Sequence, residues 1–414
     1  MTRPVLLLEA AGPESGHLAR TAAASGHPVH AVTTTQDLTG YSPALHNLLA
    51  GTLTTNLANP QQALADTVAY ARRINAAAVL TTNEYLTPLA AHTCALLDLP
   101  GNDPTAAHAA RDKAAMATAF TAAGVTAPRT HTIATPAALR ARFLRPGMRL
   151  PVVIKPADAA GSQGVTVLAR LQDADTAWQH AHTAPGIYAE PPGRTVLFQQ
   201  YIPGREYSVE SFTQHGRTTH LAITAKTTAR GTHRAELAHT LPAQLPPAVE
   251  QAIHQETTKA VRAVGIRNGA SHTEVIVTPT GRPYVIETAA RIGAGHIGDL
   301  LHHALGINPW TALLDIALGN PARLTPARHH HATVRFLTSP AAGRLTSVTG
   351  LPRPGPDTPL VRLRARPGDT VGPAHTNAGR LGSLIVVSPD ARTTQARAAQ
   401  LLDDIHIEVK PHFA

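Results

Sequence analysis

Two glutamates, Glu274 and Glu287, stand in the run HTEVIVTPTGRPYVIE at a spacing that asks for a cation between them. The run reads as a β-hairpin. With Thr280-Gly281 as its two-residue turn, Glu274 falls directly opposite Glu287. Carboxylates facing each other across a ladder repel, and the flanking Val275, Val277, Val285 and Ile286 point to a buried sheet rather than a solvated edge. A hard divalent cation shared with phosphate oxygens is the natural neutraliser, and Mg²⁺ needs only one or two protein carboxylates. Arg291 follows Glu287 closely, at the mouth of Gly293-Ala294-Gly295, where it can reach a transferring phosphoryl group. Taken alone, that arginine reads equally well as a structural ion pair.

A second constellation lies upstream. The apolar run Pro151-Val152-Val153-Ile154 delivers Lys155, then Ala160-Gly161-Ser162-Gln163-Gly164 forms a glycine-containing loop, and Val165-Thr166-Val167 leaves as a strand. Gly161 and Gly164 can turn successive backbone N–H groups inward, and such a nest holds phosphate oxygens. Lys155 adds a point charge against the same phosphates. This is no P-loop, because the lysine precedes the glycines and no helix follows. An ordinary hairpin with a surface lysine is the plainer alternative.

These groups need a scaffold, and the composition permits a large one. The chain has 414 residues, 43% apolar and 15% charged, which suits two to four domains with substantial cores. Cys94 is the single cysteine, so neither a disulfide framework nor a Cys-rich zinc module is available. No uninterrupted apolar run approaches 18 residues, so neither a membrane span nor a secretory leader is expected, and a soluble cytoplasmic protein is. The net charge of +9 comes from scattered arginines, and only 4% of residues are aromatic. Both facts count against a nucleic-acid-binding protein, which would also leave the facing glutamates without a use.

The N-terminal segment alternates strand-like runs (Pro4–Glu9, Val29–Thr33, Ala77–Thr81) with helical ones (Leu18–Ser25, Pro60–Ile74), which implies a parallel sheet covered by helices. Its glycines do not spell a dinucleotide fingerprint. Ala106–Ala123 reads as one long helix containing Arg111-Asp112-Lys113, and a strand-rich middle follows, with helices near Asp173–His182 and Pro247–Val264. Asn320–His331 looks like a linker, its adjacent histidines a solvated turn, and the tail a small β-rich domain.

Together these motifs resemble the ATP-grasp superfamily. Lys113 after Asp112, VVIKP with its glycine loop, FQQYIPGREYSVE, HTEVIV and IETAARIGAG occur in the family's order and spacing, over roughly residues 75–320. The last two, with AELAHTLPA, are most similar to the L-amino-acid ligase branch of carboxylate–amine ligases. The resemblance implies an α/β fold with α+β lobes. It comprises an N-terminal parallel α/β domain (1–105), an ATP-grasp domain of two lobes enclosing ATP (106–320) and a β-rich C-terminal domain (332–414). By the same resemblance, Lys113 and Lys155 contact the ATP phosphates together with the Ser162-Gln163-Gly164 loop. Gln199, Gln200 and Ile202 hold adenine and Glu206 the ribose. Glu274 and Glu287 bind Mg²⁺ or Mn²⁺. Arg291 contacts the acyl-phosphate. Glu84, in TTNEYLTPLA, lines the amino-acid pocket with Glu236 and His239, and either of the last two takes the amine's proton. Gly293 and Gly295 border the pocket of the first substrate, which leads us to expect room for a bulky acid.

Two residues depart from the family pattern. Ala289 stands where many members place a metal-binding Asn, and Gln199 replaces a frequent Glu at the adenine hinge. The implied reaction is ADP-forming ligation through an acyl-phosphate, joining an amino acid or related acid to an amine in a dipeptide or peptide-like secondary metabolite. Its partners are small-molecule carboxylates and amines, with neither nucleic acid nor membrane, and a homodimer is compatible with the sequence. The nearest rival is a carboxylase or nucleotide-biosynthesis ligase activating bicarbonate or formate, which calls for the Asn that Ala289 replaces.

Overall fold

The computed structural model describes residues 2–144, 149–186, 188, 194–229 and 235–411. Val5–Leu8, buried throughout, is the inner strand of a parallel sheet ordered Leu49–Thr54, Val29–Thr33, Val5–Leu8, Ala78–Leu80. The expected strands and helices are present. The sequence reading missed Leu49–Thr54, an edge strand of alternating half-buried and exposed small residues with too little apolar weight to stand out. This layer docks onto the rest of the chain through one core, in which Leu7, Leu18 and Ala31 pack with Trp310, Leu314 and Ile316 of helix Pro309–Ala317.

The long helix expected at 106–123 is broken in two. A 3₁₀ turn, Ala107–Ala110, precedes helix Lys113–Ala122. Asp112 caps that helix by accepting hydrogen bonds from the N–H groups of Ala114 (2.9 Å) and Ala115 (2.8 Å). A capping aspartate needs extended backbone, so one continuous helix is excluded. The break makes Lys113 the first helical residue, where the helix dipole disfavours a cation. Something else must hold it there.

Besides a three-stranded sheet in the C-terminal segment (Thr370–Val371, Gly343–Thr349, His406–Lys410), two larger antiparallel sheets lie C-terminal to this helix. The smaller is ordered Thr130–Ile133, Val196–Gln200, Val152–Pro156, Thr166–Leu168, with Ile154, Phe198 and Trp178 in its core. The larger has eight strands, ordered Pro283–Ala289, Gly269–Val277, Arg205–Gln214, Arg217–Thr228, Glu236–Leu241, His331–Thr338, Arg380–Ser388 and Leu360–Leu363. Helix Pro247–Ala263 covers one face, burying Ile253, Ala260 and Val261 against Val209, Val275 and Val285. The sheet therefore runs without a break from the central segment into the C-terminal one. Glu236–Leu241 was not foreseen as a strand. Among the described residues, no helix is long and apolar enough to cross a membrane.

Two β-bulges in this sheet decide which side chains meet. The hairpin turn is not Thr280-Gly281. Val277 pairs with Pro283 and the Thr278 N–H donates to the Arg282 carbonyl, leaving a three-residue loop, 279–281, with Gly281 at positive φ. Ile286 is then the extra residue of a bulge, since Val275 pairs with Val285 but Glu274 with Glu287. The two one-residue offsets cancel, and Glu274 does face Glu287. The second bulge is at Leu237. Lys226 pairs with His239 and Thr227 with Ala238, whereas Thr228 pairs with Glu236. Residues three apart in a regular strand point to opposite faces. The extra residue returns Glu236 to the face that carries Lys226 and His239.

Candidate active site

The two sheets face each other across a cleft lined by side chains of both. Lys155, the penultimate residue of strand Val152–Pro156, is 5% exposed and lines the cleft. The following loop lines the rim with Gly161, Ser162 and Gln163. Gly161, Ser162 and Gly164 all have φ between 64° and 70°, a left-handed conformation that costs a non-glycine residue energy. Gly164 itself does not line the cleft. A Cβ there would stand 2.8 Å from Ala184 Cβ and 3.0 Å from Pro156 Cδ, so its role is close packing.

Lys113 answers the question its position raised. Its Nζ lies 3.1 Å from Glu287 Oε1 and donates to the Ala159 carbonyl at 2.7 Å, tying the helix to the glycine loop. Burial works against its charge, yet Glu287 and Glu84 hold its pKa above the usual lysine value. For Lys155, burial wins. Glu287 supports the charge, but repulsion from Lys113 adds to burial and the ammonium is pushed down to about 8.

Val153 and Val167 of one sheet and Ile276 and Ile286 of the other line an apolar part of the cleft. Gln199, Gln200, Tyr201 and Ile202 line the cleft beside it, and the Gln199 Nε2 donates to Thr130 Oγ1 at 3.0 Å. The Gln200 N–H is taken by the Arg129 carbonyl.

The opposite end of the cleft is dense in charge. Arg291 is held by Glu84 Oε2 through Nε (3.1 Å) and Nη2 (2.5 Å). Burial disfavours the Glu84 carboxylate, but Arg291 and Lys113 keep it below the usual range. The other Glu84 oxygen, Oε1, is buried and has no hydrogen-bond partner. Lys226 stands between Glu274 (2.5 Å) and Glu236 (2.9 Å), and carboxylate oxygens of Glu206, Glu236 and Glu274 lie within 4.8 Å of one another. Burial opposes the Lys226 charge, and Glu236, Glu274 and Glu206 overcome it, raising its pKa well above normal. Glu274 is correspondingly ionised: burial pushes its pKa up, and Lys226 and His272 pull it far below the usual carboxylate range. An oxygen-only pair at Glu274 and Glu287 fits a hard divalent cation. Ala289 is buried opposite His272 and offers no ligand atom.

The comparisons with known proteins agree with this geometry. Residues 148–299 match the ATP-grasp domain and residues 335–410 the L-amino acid ligase C-terminal domain 2. The chain carries an ATP-grasp domain. A protein of Sinorhizobium fredii, y4rH, of uncharacterised function, is 24% identical over 77% of this chain and 65% of its own length. An alanine–anticapsin ligase of Bacillus subtilis is 28% identical over 60% of this chain and 55% of its own. The chain thus spans about half to two thirds of the length of these relatives. Its fold is that of the L-amino acid ligase of Bacillus licheniformis, with a TM-score of 0.81, 22% identity and 99% of both chains covered.

Within the ATP-grasp cleft, Glu84, Lys113, Lys155, Ser162, Gln163, Gln199, Gln200, Ile202, Glu206, Glu236, Glu274, Glu287 and Arg291 come together. Gly293 and Gly295 do not. A Cβ on Gly293 would stand 2.6 Å from His272 Nδ1, and one on Gly295 2.8 Å from His239 Cε1, so both glycines face filled space rather than an open substrate wall. Only Ala294 of that stretch lines the cleft. His239 is 1% exposed, with Nδ1 on the Gly295 carbonyl (3.1 Å) and Nε2 3.5 Å from Glu236 Oε2, behind the wall rather than in it. Glu236 is a poor proton acceptor. Burial raises its pKa, but Lys226 and His239 draw it well below the usual range. Lys226, His272 and Asn377 also line the cleft and were missed: Lys226 and Asn377 sit in segments without a local motif, and His272 stands in the HTEVIV run beside the more conspicuous Glu274.

Proposed function

We propose that this protein is an ATP-dependent, ADP-forming carboxylate–amine ligase that activates an amino acid as its acyl-phosphate. The buried, unpartnered Glu84 Oε1 beside Arg291 carries this reading. A buried carboxylate oxygen without a donor costs about 1–3 kcal/mol or more, and a substrate ammonium group would satisfy it. Bicarbonate and formate have no such group. The similarity to a protein named for ligating alanine to anticapsin supports the same choice.

In this reading adenine lies between Val153, Val167, Ile276 and Ile286, against Gln199, Gln200 and Ile202, with its ribose toward Glu206. Lys113, Lys155 and the peptide groups of 161–164 hold the phosphates. Glu274 and Glu287 would hold Mg²⁺ or Mn²⁺, which supplies neutralisation of phosphate charge. Glu84 takes the substrate's ammonium, and Arg291 faces its carboxylate and offsets the charge that develops as the carboxylate attacks the γ-phosphate. An amine then attacks the acyl carbon and phosphate leaves. An α-amino pKa near ~8 leaves a usable neutral fraction of that amine, so a strong protein base is not required. The product is a dipeptide or related secondary metabolite, made in the cytoplasm. ADP release across a panel of amino-acid and amine pairs tests this: release only with pairs of this kind is expected, and release driven by bicarbonate alone would overturn it.

A further inference from the structure

The reaction as proposed gives the C-terminal segment nothing to do, yet that segment reaches the cleft and holds one residue there. The peptide N–H of Glu236 donates to Asn377 Oδ1 at 3.0 Å, and its peptide carbonyl accepts from Arg380 Nε at 3.1 Å. Its Oε2 accepts from Asn377 Nδ2 and from Arg380 Nη2, both at 2.9 Å. Both residues come from the 3₁₀ turn Asn377–Gly379 and the first position of strand Arg380–Ser388. The Arg380 guanidinium is itself stacked 3.6 Å over the Phe336 ring, and Phe336 packs edge-on against His239. The remaining Glu236 oxygen, Oε1, takes Lys226.

Docking one domain on another does not need this pattern. Four hydrogen bonds address a single residue, and they grip its backbone and its side chain together, so they hold one rotamer of Glu236 and no other. That rotamer matters because Lys226 is shared: its ammonium touches Glu236 on one side and Glu274 on the other. A Glu236 free to swing would either draw Lys226 away from Glu274 or leave it paired with Glu274 alone.

We propose that Asn377 and Arg380 are positioning residues of the cleft, fixing Glu236 and through it Lys226, so that the C-terminal domain completes the charged end of the cleft that also holds Glu84 and Arg291. The proposal rests on the ligase reading only for where substrates lie. Arg380→Ala is expected to lower kcat about ten- to a hundredfold, the cost of a small misplacement near reacting groups, while KM for ATP stays within about twofold. Arg380→Lys, which can reach the carboxylate but not also the carbonyl, recovers part of the loss. In a Glu236→Gln background, Arg380→Ala adds little, because both act through one carboxylate. Additive losses, or an ATP KM that rises as much as kcat falls, would overturn the proposal. A lowered melting temperature with unchanged kinetics would do the same. The crystal structure of Arg380→Ala decides it independently: Glu236 and Lys226 displaced is the expected result, and both in place refutes it. A wild-type protein that releases ADP with no acid–amine pair would instead sink the ligase reading and leave this structural test standing.

Discussion

Lys155 and Lys226 are both buried, face the same cleft from its two sheets, and are held in opposite ways. Lys155 makes no ion pair among the described residues, and burial brings its pKa down to about 8. Lys226 sits between two carboxylates that hold its pKa far up. The side of the cleft proposed to hold phosphate is thus short of counter-charge and gains most from an anionic ligand, whereas the other side is neutralised from within and braced. An unpaired buried cation has no internal partner to give up on binding. The same residue type serves as a receptor in one wall and as a strut in the other.

Metal removal should break the phosphate side altogether. Activity is expected to depend strictly on Mg²⁺ or Mn²⁺ and to vanish in excess chelator and in Glu287→Gln, and full turnover under chelation would refute the assignment of the facing carboxylates. Lys155→Ala comes next, with ADP formation down about 10²–10³-fold in a protein that remains folded, because a preorganised charge at the reacting group is lost. Retained turnover at saturating ATP would erase its role as receptor. Lys226→Met tests the strut. It leaves Glu236 and Glu274 without their shared cation, so denaturant unfolding should show a loss of about 3–5 kcal/mol, where Lys155→Met shows none or a gain. Equal stability effects would abolish the contrast.

Smaller effects sharpen it. The Lys155 ammonium is charged below about 8 and neutral above, so kcat/KM for ATP should fall as pH rises through that value, towards tenfold per unit. A flat profile up to pH 10 would mean that Lys155 does not contact phosphate in the free enzyme. Gly295 belongs to the braced side. Its φ is +69°, and an added methyl would stand 2.8 Å from His239 Cε1. Gly295→Ala should therefore cost about 1–2 kcal/mol and depress turnover alike for small and bulky acids. Selective loss of bulky acids would revive the open wall that the packing denies.

What could be read from the chain was local. Lys155 with Gly161 and Gly164, the hinge from Gln199 to Ile202, and Arg291 after Glu287 each lie in one short segment whose residue types carry their own geometry. Asp112 before Lys113 was also there to be read as a helix cap, but the alanine-rich flanks on both sides outweighed it. The opposition of Glu274 and Glu287 came out right through two offsets that cancelled, a turn one residue longer than inferred and a bulge at Ile286. The wall at Gly293 and Gly295 came out wrong, because whether a glycine leaves space or fills it depends on His239 and His272 packed behind it.

The sequence alone determined most element types, the placing of Lys155 before its glycine loop, and the facing of the carboxylate pair, because hydrogen bonding and side-chain alternation within a hairpin or a strand–loop–strand unit act between near neighbours. Only the tertiary structure decided the charged wall. Glu236 shares a face with His239 and Lys226 because of a bulge at Leu237, and Lys226 meets Glu274 because two strands from distant segments share a sheet. Asn377 and Arg380 arrive more than 130 residues later. Bulge placement and strand order are set by the balance of packing over the whole sheet, and no residue in the segments themselves announces them.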